Sequence, residues 1–446
     1  MRKARVAVTT VVVIAAVGAM GLYGTRVRST VRSRAEYRAA IADVRAEAAR
    51  RDADIIFYTK RAIEDTAAAF DRSQLASLYL GRGRASGDFN DVLKAEALAR
   101  NSLALRSSHN IETLVPLISS LLSEHRFNEA RDFASQLVAS VPAEDSYRGI
   151  LGEVDLEVGD YAGAAKAFAS LGGKSRANLG VAPRLARWLE IRGQNAQARQ
   201  ILYRTEKMAD SSRDQLTREQ LAWFHLRVAD IELRNGRLRG ADRAIRAGLA
   251  VLPDDYRLLA AEARLAAVNH DWRRAIALGD SSVAIVLDPA TLGLIGDAYA
   301  ALGDSSKAEE YIRTMEVAVT QQPGAYHRAW SLFLLDHGRR IPEVTAKIRE
   351  ELKTRRDIYG YDLLGWAMYK QRNYPEARAA LQTALSQGTQ DAMIYYHAGM
   401  VERAAGRAAS ARTLLERAMA INPYFDAIHP AMVRATLDSL RREGSN

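Results

Sequence analysis

From Val31 to the C-terminus, apolar residues recur three and four positions apart, the spacing of one face of a helix. No stretch sustains the apolar–polar alternation of a strand, so the pattern predicts an all-α chain. Residues 26–68 are rich in Ala, Arg and Glu and lack Pro and Gly between Val31 and Phe70. This stretch is expected to form a helical stalk, with Asp52 or Asp54 capping a second helix that carries Ile55, Ile56 and Phe57.

Beyond residue 69 a frame of about 34 residues repeats. One window holds Leu364-Gly365, Tyr374, Ala377, Leu381 and Ala384, and the next places Ala398-Gly399, Gly406, Ala411, Leu415, Ala418 and Pro423 in the same frame. The cleanest column is Ala95, Ala130, Ala164, Ala198, Ala241, Ala275, Ala308, Ala377 and Ala411. From Ala130 onward its steps are 34, 34, 43, 34, 33, 69 and 34, the 69 spanning one repeat with Glu343 in the column. Five of the ten prolines, at 142, 253, 289, 323 and 423, fall at window ends.

This period resembles the tetratricopeptide repeat, two antiparallel helices per 34 residues. The resemblance covers residues 69–425 and implies a right-handed α-solenoid of ten hairpins, starting near 69, 111, 145, 179, 222, 256, 289, 324, 358 and 392. Small residues on the first helix and Ala on the second let each pair approach closely. Gly159, Gly193, Gly236, Gly303, Gly338 and Gly406 fall at the turns, where a left-handed residue stops the first helix. Insertions are expected at Ser86–Val92 and Met208–Arg218, and the repeat from 324 is degenerate, with Ser331 and Glu343 in its small-residue columns. Residues 426–446 are expected to cap the stack with a helix over about Phe425–Arg442.

The N-terminus adds a different element. A basic head, residues 1–5, precedes twenty uncharged residues, Val6–Thr25, which as a helix at ~1.5 Å per residue would span a bilayer's ~30 Å core. Arg26, Arg28, Arg32 and Arg34 follow at once, the flank of a retained transmembrane helix rather than of a cleaved export signal. A signal peptide with a site near Val17-Gly18-Ala19 is the competing expectation, and would make this an exported protein. The retained form predicts a single-pass membrane protein with its repeats outside the cytoplasm.

Charge bears on partners. The chain carries 63 Lys and Arg against 53 Asp and Glu, but residues 1–68 hold 13 against 7, leaving only 50 against 46 on the remaining 378. That distribution argues against a nucleic-acid partner, which needs positive charge concentrated on the folded domain. With no Cys there can be no disulfide, thiolate metal site or thiol nucleophile.

No catalytic site is expected, and no cofactor or metal. Gly81–Gly87 lacks dinucleotide-loop spacing, and Gly279-Asp280-Ser281 and Gly303-Asp304-Ser305 have no strand–turn–helix setting. The eight His are scattered over different repeats and read as surface or groove residues. Function therefore falls to the concave face that the resemblance implies. In the middle repeats its projected side chains are Arg187, Asp230, Arg264 and Asp297, expected to pair with one another. In the last repeats they are Arg328, Tyr359, Asp362, Trp366, Tyr369, Tyr396, Met400 and Arg403, a partner-binding groove rich in exposed rings. The positions that hold Asn in tetratricopeptide domains gripping a carboxylate tail are Arg187, Asp230, Arg264 and Trp366 here, a departure from that pattern. The expected function is a membrane-tethered scaffold binding a protein or peptide in a cell-envelope assembly. An accessory subunit of an enzyme, or a solenoid binding polysaccharide through its groove aromatics, are the alternatives.

Overall fold

A computed structural model describes residues 34–443 apart from 172, 174–177 and 322–326. The segment 6–25, with its membrane-anchor or signal expectation, lies outside the described residues, and among those described no helix is long and apolar enough to cross a membrane. All regular structure among the described residues is helical.

Helix α1 (Arg34–Glu64) is followed by ten hairpins. These are α2/α3 (Ala69–Ser86, Phe89–Leu105), α4/α5 (Leu114–Ser123, Phe127–Ser140), α6/α7 (Asp145–Val158, Tyr161–Ala169), α8/α9 (Ala182–Ile191, Asn195–Ser211) and α10/α11 (Arg218–Arg234, Leu238–Val251). The second five are α12/α13 (Tyr256–Val268, Trp272–Val283), α14/α15 (Pro289–Ala301, Ser305–Gln321), α16/α17 (His327–Asp336, Ile341–Glu351), α18/α19 (Ile358–Lys370, Tyr374–Leu385) and α20/α21 (Ala392–Ala404, Ala408–Ile421). Helix α22 (His429–Glu443) covers the last hairpin. The tetratricopeptide-like solenoid expected from the period is what forms.

The Ala column explains the pairing. Eight of its nine members are completely buried and Ala308 nearly so, each on a second helix pressed against its partner. At Gly365 a Cβ would lie 2.5 Å from Leu381, so the facing position must also be small. Glu343, the column residue of the eighth hairpin, is exposed. Every hairpin turn holds a left-handed residue: Gly in seven, including Gly87, and His125, His270 and Arg372 in the others. Acidic N-caps start many of the helices, as Asp160, Asp255, Asp288, Asp357 and Asp391 do by accepting backbone N–H groups.

Three local expectations are corrected. The extra residues of the first repeat are not a loop at 86–92: only Gly87 and Asp88 separate its helices, which are 18 and 17 residues long. The second insertion lengthens α9 to Ser211 before a short 3₁₀ turn, Arg213–Gln215. The stalk is one helix through Asp52 and Asp54, because neither breaks its backbone bonding. It packs on α2 and reaches the fifth hairpin, where the Arg218 amide donates to Glu47 (3.0 Å).

The stack coils until it meets itself. The turn of the third hairpin touches the loop before the ninth: the Arg356 amide donates to the Val158 carbonyl (3.0 Å) and the Ile358 amide to the Tyr161 hydroxyl (2.8 Å). Arg192 of the fourth donates to Gln387 before the tenth (3.0 Å). Asn422, after the tenth, donates to the Leu233 and Arg234 carbonyls of the fifth (2.9 and 3.2 Å). The first two contacts join elements six hairpins apart and the third sets the fifth hairpin against the loop after the tenth, so the solenoid closes along a seam around an axial space.

Candidate functional site: the axial cavity

The first helices of successive hairpins turn polar residues toward this axis and border a half-open cavity of about 1000 Å³. Over the third to fifth hairpins its wall is an ion-pair ladder between neighbouring helices. Arg184 pairs with Glu153 (2.7 Å), Arg187 with Glu157 (2.5 Å) and Arg234 with Glu190 (2.8 Å). Arg355 reaches across the seam to Glu157 (3.2 Å). Paired guanidiniums and carboxylates satisfy each other's donors and acceptors at these partly enclosed positions. The opposite wall, from the sixth to eighth hairpins, is largely apolar, with Ala261, Val268, Leu294 and Leu332 facing Phe425 and Ile428 of the loop that follows the tenth hairpin.

The remaining lining carboxylates are engaged as well. Asp288, Asp391 and Asp426 accept backbone N–H groups at helix starts or turns. Asp297 meets Nε2 of His337 (2.8 Å), and Asp336 accepts from Nε1 of Trp366 (2.8 Å). Asp230 pairs with Arg227 of its own helix (3.4 Å). The expected mutual pairing of Arg187, Asp230, Arg264 and Asp297 is therefore absent: three of them pair elsewhere, and Arg264 has no hydrogen bond or ion pair among the described residues.

Of the eight residues projected into the last repeats' groove, Arg328 and Tyr359 line the cavity. Arg328 lies over the Tyr359 ring at 4.6 Å, and burial with Asp391 nearby pushes the Tyr359 hydroxyl up to about 12. The expectation of exposed aromatics is overturned for Trp366 and Tyr396, which are 2% and 1% exposed. Both lie in a buried layer between the last hairpins and α22, Trp366 stacked on His397 (4.2 Å) and Tyr369 (4.7 Å). Asp362 is fully buried and bonded to Nδ1 of His397 (2.7 Å). Tyr369 and Met400 are half-buried against the same core, and Arg403 pairs with Glu443 of α22.

Other candidates resolve similarly. His397 and His225 are core residues rather than groove residues, His225 bonded to Glu206 (2.7 Å). Asp280 lies inside α13 and accepts from the Tyr311 hydroxyl (2.6 Å), and Asp304 caps α15. Glu153, Glu157, Glu190 and Arg234 had not been singled out in the sequence. Their signal was there, acidic and basic residues at matching positions of consecutive first helices, but it required the helical phase to be known.

No protein-family model and no curated protein matches the chain. Among solved structures, it is similar to the APC/C hetero-tetramer Cut9–Hcn1 at 13% identity and a TM-score of 0.34, covering 92% of this chain and 97% of that one. A tetratricopeptide repeat protein from Parabacteroides merdae matches at 14% identity and 0.35, over 60% of this chain and all of that one. Yeast Tom70 matches at 9% and 0.34, over 83% and 96%.

Proposed function

We propose that this chain is a scaffold that holds an extended segment of a protein partner in its axial cavity, tethered to a membrane through residues 6–25 with the repeats outside the cytoplasm. The observation that carries the reading is the cavity itself: charged side chains from many consecutive hairpins are turned inward, where folding alone does not require them. A wall with a polar ladder on one side and apolar residues on the other suits a peptide, which presents backbone groups and alternating side chains together. Closure at the seam favours an extended segment over a folded domain.

The test is site-specific photo-crosslinking of the full chain in its own membranes, with the photoreactive residue at Tyr359 or, on a second helix facing away from the axis, at Thr413. Crosslinks to one protein from position 359 alone support the cavity. Crosslinks from position 413 alone would move the binding surface outward. Retention in membranes through a carbonate wash, with an intact N-terminus by mass spectrometry, is expected of the tether, and a mature end near Met20 would replace it with an exported form.

A further inference from the structure

Helix α1 is apolar on two opposite sides. One side, where Ala40 and Ile55 are buried, lies against α2 and reaches α11 of the fifth hairpin. The other faces solvent. Along its midline run five alanines from Ala39 to Ala53, then Ile56, Lys60 and Ile63, all exposed and alternately three and four residues apart. Ile56 and Ile63 are 71% and 73% exposed, and Phe57 beside them 53%. The charged residues of the helix stand on the flanks of this midline, Arg38 and Arg45 on one and Arg50 and Asp54 on the other. A helix that had only to cover the repeats would turn those charges to the water and keep its apolar residues on one face.

Alternating steps of three and four, kept up from Ala39 to Ile63, make the seam of a two-helix coiled coil, ~36 Å long at 1.5 Å per residue. Alanine adds little to insertion into lipid but lets two helix backbones approach closely. The exposed charges among the described side chains of α1, five basic and four acidic, give an anionic bilayer little to attract. The face is instead complementary to itself when two copies run antiparallel about a two-fold near residues 51–52. Small residues of one copy then meet large residues of the other, Ala39 level with Ile63 and Ala46 with Ile56. Lys60 meets Ala42 rather than a second Lys60, and Arg50 comes nearly level with Asp54, an opposite-charge pairing that the two-fold repeats. A parallel pair would set each Lys60 and each Arg50 against its own like.

We propose that a second copy of this chain docks on this face, the two α1 helices pairing antiparallel along Ala39–Ile63. The pairing is independent of how the axial cavity is used. Because the chain has no Cys, cysteine crosslinking reads the pairing directly. Full chains carrying Ala42→Cys and Lys60→Cys, mixed in detergent and oxidised, should give a disulfide-linked dimer in high yield, and either variant alone should give little. Light scattering should find the wild type at twice the mass of one chain. Ala49→Arg and Ile56→Glu, both at exposed positions, should each weaken association about tenfold or more without lowering the melting temperature. Arg50→Asp should weaken it as well, and adding Asp54→Arg should restore it. Self-crosslinking of each cysteine variant as strong as that of the mixture means parallel helices and overturns the pairing. A monomer overturns it too, as does a dimer that survives both Ala49→Arg and Ile56→Glu, which moves the association elsewhere on the chain. A monomer whose bimane-labelled Lys60→Cys shifts to the blue on adding phosphatidylglycerol vesicles would give the face to lipid instead.

Discussion

Asp426 and His429 form an ion pair at the turn that launches α22, with Nδ1 of the imidazole 3.0 Å from the carboxylate. Burial alone would raise the Asp426 pKa, but the imidazole and the backbone N–H groups of Ile428 and His429 outweigh it and hold it at about 2. Burial alone would lower His429, yet Asp426, with Asp336 nearby, raises its pKa above the usual imidazole value. The carboxylate therefore stabilises the fold above its unfolded value near 4 and loses this as pH falls toward 2. The imidazolium stabilises below about 6.5 and loses this as pH climbs through its raised value. Comparing melting temperatures of wild type and His429→Gln across pH, we expect the gap to be widest between about pH 4 and 6.5 and to close as pH climbs through the raised imidazole value; a constant gap would contradict it. The same region shows where side-chain phase decides a role. Trp366 and Tyr396 have the composition of an interface but are buried, and a phase difference of one residue, about 100° of helical rotation, is enough to move a side chain from the groove into the core. Trp366→Ala should therefore cost about 3–5 kcal/mol through the cavity it leaves, besides stripping Asp336 of its donor. Thermal or denaturant unfolding checks this, and a wild-type midpoint would return the residue to the surface.

At the scale of the hairpin, the features that were legible in the sequence are those fixed by backbone approach. The Ala column and the turn glycines recur because two helices can pack this closely only over small side chains, and a tight turn needs one left-handed residue. The turns at His125, His270 and Arg372 were not legible, since nothing in those residue types announces positive φ. Nor was the long first hairpin: a longer period looks the same whether the added residues extend the helices or the loop between them. Ala164→Leu tests the register directly. Ala164 is fully buried on α7, so three added carbons must displace the facing helix, an overpacking that costs about 1–3 kcal/mol. A midpoint shift in urea of that size is expected, and none would mean that α7 can slide to make room.

The whole molecule differs from an open solenoid, in which each hairpin feels only its neighbours and damage stays local. The six-hairpin period of the seam was beyond the sequence, because it depends on small rotations accumulated over many repeats rather than on any one residue. Gly193 and Gly303 separate the two cases. Both have positive φ at a hairpin turn, so Ala at either costs about 1–2 kcal/mol for the left-handed backbone. Around Gly303 there is open space, and the cost should end there. A Cβ on Gly193 would instead lie 2.1 Å from the carbonyl oxygen of Gly388, six hairpins on, a clash with backbone that only movement of the seam relieves. In hydrogen exchange, Gly303→Ala should speed amides of the seventh hairpin and its neighbours alone. Gly193→Ala should speed those of the fourth hairpin and also of the tenth, around Gly388–Asp391 and the start of α20. Exchange confined to the third through fifth hairpins in Gly193→Ala would mean that the seam bears no load, and that the axial cavity is a groove open along its side.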